Sequence, residues 1–433
     1  MRACIAFSFM ITAISAQNTR FPAIPAAVSG FNQSQSKWQV VSRHRVAGLD
    51  GTVYSFKFLP NGTQAVVATA DFRMHLIDLS SNRVVWSVSN RMNLEREFDG
   101  NTIYDVSPDG SEFLCNGQID PESPSGERTL VIRSTKDGSV SKTFPSEFST
   151  FYSVQADKDH RYPGKAKAQE HLDARLGPFW MLAVATAKYI EGGSQILTTW
   201  KHNMTGADFY DRRTIIYNRR SLAKLRDYQL VADPKKADFS QPAGFTTGHF
   251  WFPVVYNPAK KSTYHGTSFG RVHEMSAQAA QQNRSTAIVE KKNPGQVLYI
   301  PLSDSPDMAE KDAQIIRHLS LSASGKTLFV TAGYENYLIQ LYGVNTATKK
   351  EIFRTPIANV VRTDAMGDKY VIVSGQPFYI VNTSSGEVEF VASSATFDSG
   401  MIDAHPTKKK ILVNTSGGDF LILGHAQDAD LNW

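Results

Sequence analysis

Seven turn signals, each flanked by two short apolar strands, constrain this chain more than anything else in it. They are "LPNG" (59–62), "SPDG" (107–110), "IEGG" (190–193), "NPAK" (257–260), "SASG" (322–325), "DAMG" (364–367) and "HPTK" (405–408). Gly, Pro, Asn and Asp between runs of Val, Ile, Leu, Phe and Tyr are what tight hairpins require, so each reads as the first hairpin of a sheet. The closer spacings are near forty residues, with longer intervals in the middle of the chain. A sequence built this way predicts many strands and few helices.

A repeat near that period is expected to form a β-propeller, because a four-stranded sheet cannot bury both of its faces alone and several packed around an axis can. The stretch "FLPNGTQAVVATADFRMHLIDLSSNRVV" (58–85) gives turn, strand, small residues, Asp71, strand, and then Ile77 and Asp78 where a Trp-Asp dipeptide would stand. It resembles a WD repeat. "LSASGKTLFVTAGYENYLIQLYGVNTATKKEI" (321–352) resembles the same unit, with Glu335 for the aspartate and Tyr342-Gly343 for the dipeptide. The likeness is partial in "DVSPDGSEFLCNG" and faint in the other four units. It implies an all-β, seven-bladed β-propeller of WD-repeat-like type that recognises partners through its loop faces.

Closure follows from counting strands. The last unit offers three, "GMIDAHPTKK", "KILVNTS" and "GDFLILG", while "WQVVSRHRVAG" (38–48) precedes the first full unit and has no partner there. The N-terminal strand is therefore expected to complete the last blade, since an open propeller would expose two sheet faces. The propeller then spans 38–427, after a leader at 17–37 and before a polar tail at 428–433. Residues 156–177 are expected to form an insertion with one short helix, on the helix formers of "KAKAQEHLDARL". Residues 274–312 read as a long loop around one strand, "GQVLYIPL".

"MRACIAFSFMITAISAQ" has a positive Arg2, an apolar run, and small residues at Ser15 and Ala16, the order of a signal peptide covering 1–16. It is too short to span a bilayer, and no membrane span is expected later in the chain. The protein is expected to be secreted or periplasmic. Of two cysteines only Cys115 would survive cleavage, buried and inert in an alternating strand. Six N-x-[ST] sequons occur, at Asn32, Asn61, Asn203, Asn283, Asn382 and Asn414, and would carry sugar if the source is a eukaryote.

Charge is mildly basic, +5 from 46 Lys and Arg against 41 Asp and Glu, too little for a nucleic-acid stripe. No C-x-x-C, H-E-x-x-H, G-x-S-x-G or phosphate-binding glycine loop occurs, so no cofactor, metal or catalytic residue is assigned. Aligning the seven hairpins on their turns gives Lys57, Asp105, Lys188, Val255, Ser320, Arg362 and Asp403 at one inner-strand position. From Arg362 through Asp403, Lys57, Asp105 and Lys188 the signs alternate. The structural reading is a ring of interblade ion pairs; the functional one is a polar channel for a small anion or substrate.

A basic group, Arg212, Arg213, Arg219, Arg220, Lys224 and Arg226, reads as a solvated hairpin edge or a site for an acidic partner. Phe72 and Tyr334, in loops after second strands, and His249 and Trp251, in a loop entering a first strand, are candidates for a protein or ligand contact surface. The function expected is a monomeric binding or scaffolding module with protein partners, a small-molecule ligand being possible. The alternatives are a propeller hydrolase or lactonase-like enzyme with a channel-mouth site, and a structural envelope or matrix component.

Overall fold

In a computed structural model, the structure describes residues 36–49, 52–90, 102–119, 128–149, 180–181, 183–201, 211–231, 253–266, 271–276, 296–299, 315–334, 338–357, 360–375, 378–392, 402–405, 409–415 and 418–426. The strands among them form seven four-stranded antiparallel sheets and one two-stranded pair, Phe148–Ser149 with Trp180–Met181. One 3-10 turn, Glu191–Gly193, is the only helix of any kind among the described residues. The fold is an all-β propeller, as the turn pattern predicts.

The sheets are numbered here by their first, innermost strands, which run Val53–Phe58, Ile103–Val106, Ala183–Ile190, Val254–Asn257, Ile315–Leu321, Val360–Met366 and Ile402–Ala404. In sheets one to six the strand order is the chain order. In sheet seven Ile402–Ala404, Lys410–Asn414 and Phe420–His425 are followed by Trp38–His44, which pairs antiparallel with Phe420–His425 from Trp38 opposite His425 to His44 opposite Phe420.

Period-2 alternation explains why these sheets stack. On each second strand, consecutive apolar residues serve opposite neighbours. Val66 packs with Phe113 toward sheet two, whereas Val67 packs with Leu412 toward sheet seven. Leu114 meets Ile196 of sheet three, and Leu197 meets Tyr256 of sheet four. Leu328 lies with Tyr264 of sheet four, Phe329 with Val371 of sheet six, and Ile372 with Ile411 of sheet seven. Most second-strand residues are thus buried on both faces, so they read as near-continuous apolar runs such as "YVIVSG" (370–375), every residue of which is buried.

Three of the hairpin turns repeat the same hydrogen bonds. Leu59 N–H donates to the Gln64 carbonyl and Gly62 N–H to Leu59; Ser107 with Glu112 and Gly110, and Ser322 with Thr327 and Gly325, do the same. Gly62, Gly110 and Gly325 all sit at φ +71°, a left-handed conformation that other residues adopt at a cost.

Cys115 is fully buried, as its alternating strand suggests. The insertion at 156–177 lies outside the described residues. Of 274–312, the first residues are not loop: the strand Arg271–Ser276 runs through Ser276 and pairs with Gln296–Tyr299, because cross-strand bonding to Ser262–Gly266 continues past His273.

Candidate functional site

The first strands bring a set of ionisable side chains to the centre of the ring. Register fixes which are equivalent: Lys57 lies opposite Val66, Asp105 opposite Leu114, Lys188 opposite Leu197, Val255 opposite Tyr264, Ser320 opposite Phe329 and Asp403 opposite Leu412. Sheet six departs from the sequence alignment. Its equivalent residue is Asp364, opposite Ile372, and Arg362 stands two residues earlier, opposite Ser374. The reason is the turn: Met366 pairs directly with Tyr370, so the hairpin closes over Gly367, Asp368 and Lys369, later and shorter than "DAMG" suggests.

The alternation of sign at one level is therefore broken between sheets six and seven, where Asp364 and Asp403 are neighbours. Arg362 repairs it from the adjacent level. Its Nε lies 2.6 Å from Asp364 Oδ2, and its Nη2 donates to Asp364 Oδ1 at 2.9 Å. The Asp364 carboxyl is held below the usual range: burial opposes this, and Arg362, Lys57 and Lys188 together outweigh it.

Two interblade contacts follow one pattern. Asp403 accepts from Lys57 Nζ at 2.6 Å and from the Phe58 backbone N–H at 2.8 Å. Asp105 accepts from the Tyr189 N–H at 2.8 Å, Tyr189 being the residue after Lys188. An inner-strand aspartate thus holds the main chain of the next sheet beside that sheet's lysine. Lys57 and Asp403 are largely buried, with side chains 10% and 13% exposed. Burial raises the Asp105 carboxyl above its ordinary value, a shift that Lys188 and Lys57 only partly offset.

His318, on the first strand of sheet five, joins this group and was not singled out by the turn alignment. Burial, then the nearby Arg317 and Arg362 charges, push its imidazole down to about 4, so it is neutral at pH 7. It lies two residues before Ser320, as Arg362 lies two before Asp364, so reading a second level along each first strand would have found it.

The other sequence candidates lie elsewhere. Phe72 is half-buried in the turn after the second strand of sheet one, at φ +60°, and its carbonyl accepts the Asn90 N–H. Beside it, exposed Asp71 accepts the Thr69 hydroxyl at 2.5 Å, a loop-tying role. Tyr334 ends the second strand of sheet five opposite Leu338. His249 and Trp251 lie outside the described residues.

Within the basic group, Arg219 is not a free edge charge. It donates to Asp109 at 2.8 Å and Glu112 at 3.0 Å, and stacks over Tyr189. Its hydrogen bond is the main reason the Asp109 carboxyl is held far below the usual range. Lys224 reaches the buried Glu147 at 2.6 Å. These two basic residues clamp neighbouring elements; Arg220 remains exposed.

No family model and no curated protein matches the chain. Among solved structures it is similar to the Myceliophteria thermophila Cps50 (Swd1) β-propeller domain. The TM-score is 0.52 at 14% identity, over 89% of this chain and 99% of that one. Likeness at that identity speaks to the fold: a β-propeller.

Proposed function

We propose that this chain is an exported, seven-bladed, WD-repeat-like propeller, closed by its N-terminal strand, that binds or scaffolds proteins through its loop faces. One observation carries the reading. The inner-strand charges engage the fold itself: Lys57 with Asp403, Arg362 with Asp364, and Asp105 with the Tyr189 backbone. The first and third of these hold neighbouring sheets in register, the second neutralises a pair within one strand, and a ring so filled leaves recognition to the loops. The cycle of apolar clusters from sheet to sheet, and the pairing of Trp38–His44 with the last strand of sheet seven, support the blade count and the closure. The resemblance of residues 58–85 and 321–352 to WD repeats supports protein partners.

The test is a crosslinking capture with the mature protein from its native extracellular or periplasmic fluid, run beside Phe72→Ala and Lys136→Ala variants. A defined protein lost with Phe72→Ala and kept with Lys136→Ala supports a loop-face site next to Asp71. Recovery of no macromolecule by any form would overturn the scaffold reading and favour a small-molecule role.

A further inference from the structure

Three of the six sequons, Asn61, Asn382 and Asn414, lie among the described residues, in three different environments. We propose that Asn61 is the one of these three that carries an N-linked glycan, and that its innermost sugar lies along the groove between the first hairpins of sheets one and two. The proposal rests on the export reading, since the modification belongs to a secretory route. Chemically, Asn61 Nδ2 bonds to the anomeric carbon of a polyprenyl pyrophosphate-linked sugar donor. The carbon–oxygen bond to the pyrophosphate breaks, and one Nδ2 proton leaves.

Burial excludes Asn414. It is 2% exposed, inside sheet seven opposite Phe420, with Nδ2 directed at the Asp419 carbonyl. A glycan there would force the sheet apart. Asn382 is half-buried, and its Nδ2 donates to Glu389 Oε1 at 2.9 Å. That carboxylate is only 3% exposed and also takes Lys37 at 3.2 Å, so a sugar on Asn382 would have to be fitted against a buried contact between the N-terminal strand and sheet six.

Asn61 differs on each count. It is exposed at the tip of the "LPNG" turn, which Gly62 holds at φ +71°. Its Oδ1 accepts the Thr63 and Gln64 N–H groups, both at 3.1 Å, and so fixes the side chain without using Nδ2. Nδ2 donates to Gln64 Oε1, an exposed contact that the one proton left after glycosylation can still make. Asn61 also stands on the wall of a groove of 330 Å³ lined by Pro60, Leu76, Asp109, Thr135 and Lys136. Apolar Pro60 and Leu76 suit a sugar face; Asp109, Thr135 and Lys136 offer partners for its hydroxyls.

The experiment secretes the full chain from eukaryotic cells, once with its own leader and once behind a supplied secretion leader, and maps glycopeptides by mass spectrometry. The expected result is a glycan at Asn61 with Asn382 and Asn414 bare, and loss of one glycan mass in secreted Asn61→Gln protein. A bare Asn61 in protein secreted behind the supplied leader overturns the site. A glycan on Asn414 of folded protein overturns the burial argument. If only the own-leader chain stays unglycosylated inside the cell, the export reading falls and the site geometry stands. Amine labelling of Lys136 should be slower in the glycosylated protein than in Asn61→Gln; equal labelling overturns the groove placement.

Discussion

Asp403 does two jobs with two oxygens, neutralising Lys57 and accepting the Phe58 N–H, and both partners are withdrawn from water. Asp403→Ala should therefore cost about 3 kcal/mol, because it strands a buried ammonium and a backbone donor together. Replacing both members, Lys57→Met with Asp403→Leu, should recover part of that loss in urea unfolding; a double variant as weak as the single one would mean the pair itself stabilises the ring. Asp105 carries a pH signature. Its folded pKa is raised by burial, so the stability it contributes is present below the unfolded value and is lost as pH rises through the folded one. Asp105→Asn retains an acceptor for Tyr189 N–H and cannot ionise, and should gain on the wild type over that same rise. Asp105→Ala should lose about 1–3 kcal/mol at low pH, by leaving that N–H without its acceptor, and the loss should shrink over the same rise because alanine cannot ionise either.

At the scale of strands and turns, what could be read from sequence depended on whether the hairpins were of one length. Where a four-residue loop follows the first strand, as at Leu59 to Gln64 or Ser107 to Glu112, counting back from the turn lands on the right residue, and Lys57, Asp105, Lys188 and Asp403 were found in that way. It failed at sheet six, where a shorter loop put Arg362 in the place of Asp364, and period-2 counting alone cannot detect a slip of two. The same strands carry a bulge near their start, between Val53 and Ser55, Ile103 and Asp105, and Val360 and Arg362, which local pattern does not announce. Turn glycines offer a test at this scale. A Cβ on Gly62 would fall 1.9 Å from His405 Nε2, whereas on Gly367, at a similar positive φ, it would meet nothing within 4 Å. Gly367→Ala should cost about 1–2 kcal/mol, the left-handed backbone term alone. Gly62→Ala should cost about 1–3 kcal/mol more, since it must also displace the sheet-seven turn. Equal losses in the two variants would show that the contact with His405 is easily relieved.

For the whole molecule the decisive joint is the one between its two chain ends. Trp38 is fully buried against Tyr370 and His425, the Ala426 N–H donates to the Lys37 carbonyl, and Lys37 bridges to Glu387 and Glu389 of sheet six. The strand Trp38–His44 therefore holds sheet seven against sheet six although it comes from the opposite end of the sequence. Removing residues up to His44 should expose the whole edge of Phe420–His425 and a face of the core, giving aggregation in place of a cooperative transition. That outcome alone would not separate closure from a general need for the segment. A permuted chain does. Because Trp38 lies opposite His425 in an antiparallel pair, Ala426 can be joined to Lys37 through a two-residue Asn-Gly turn, with the chain opened between residues 48 and 52. If the strand acts only as the fourth member of sheet seven, the permutant should unfold cooperatively with stability close to the wild type, measured by denaturant titration. Its contacts would then form within one local hairpin, so it should also fold faster, the loop to be closed having shrunk from nearly the whole chain to a turn. A permutant that stays aggregated while the parent folds would mean that the N-terminal strand must dock last, and that the ring is closed by order of assembly as well as by pairing.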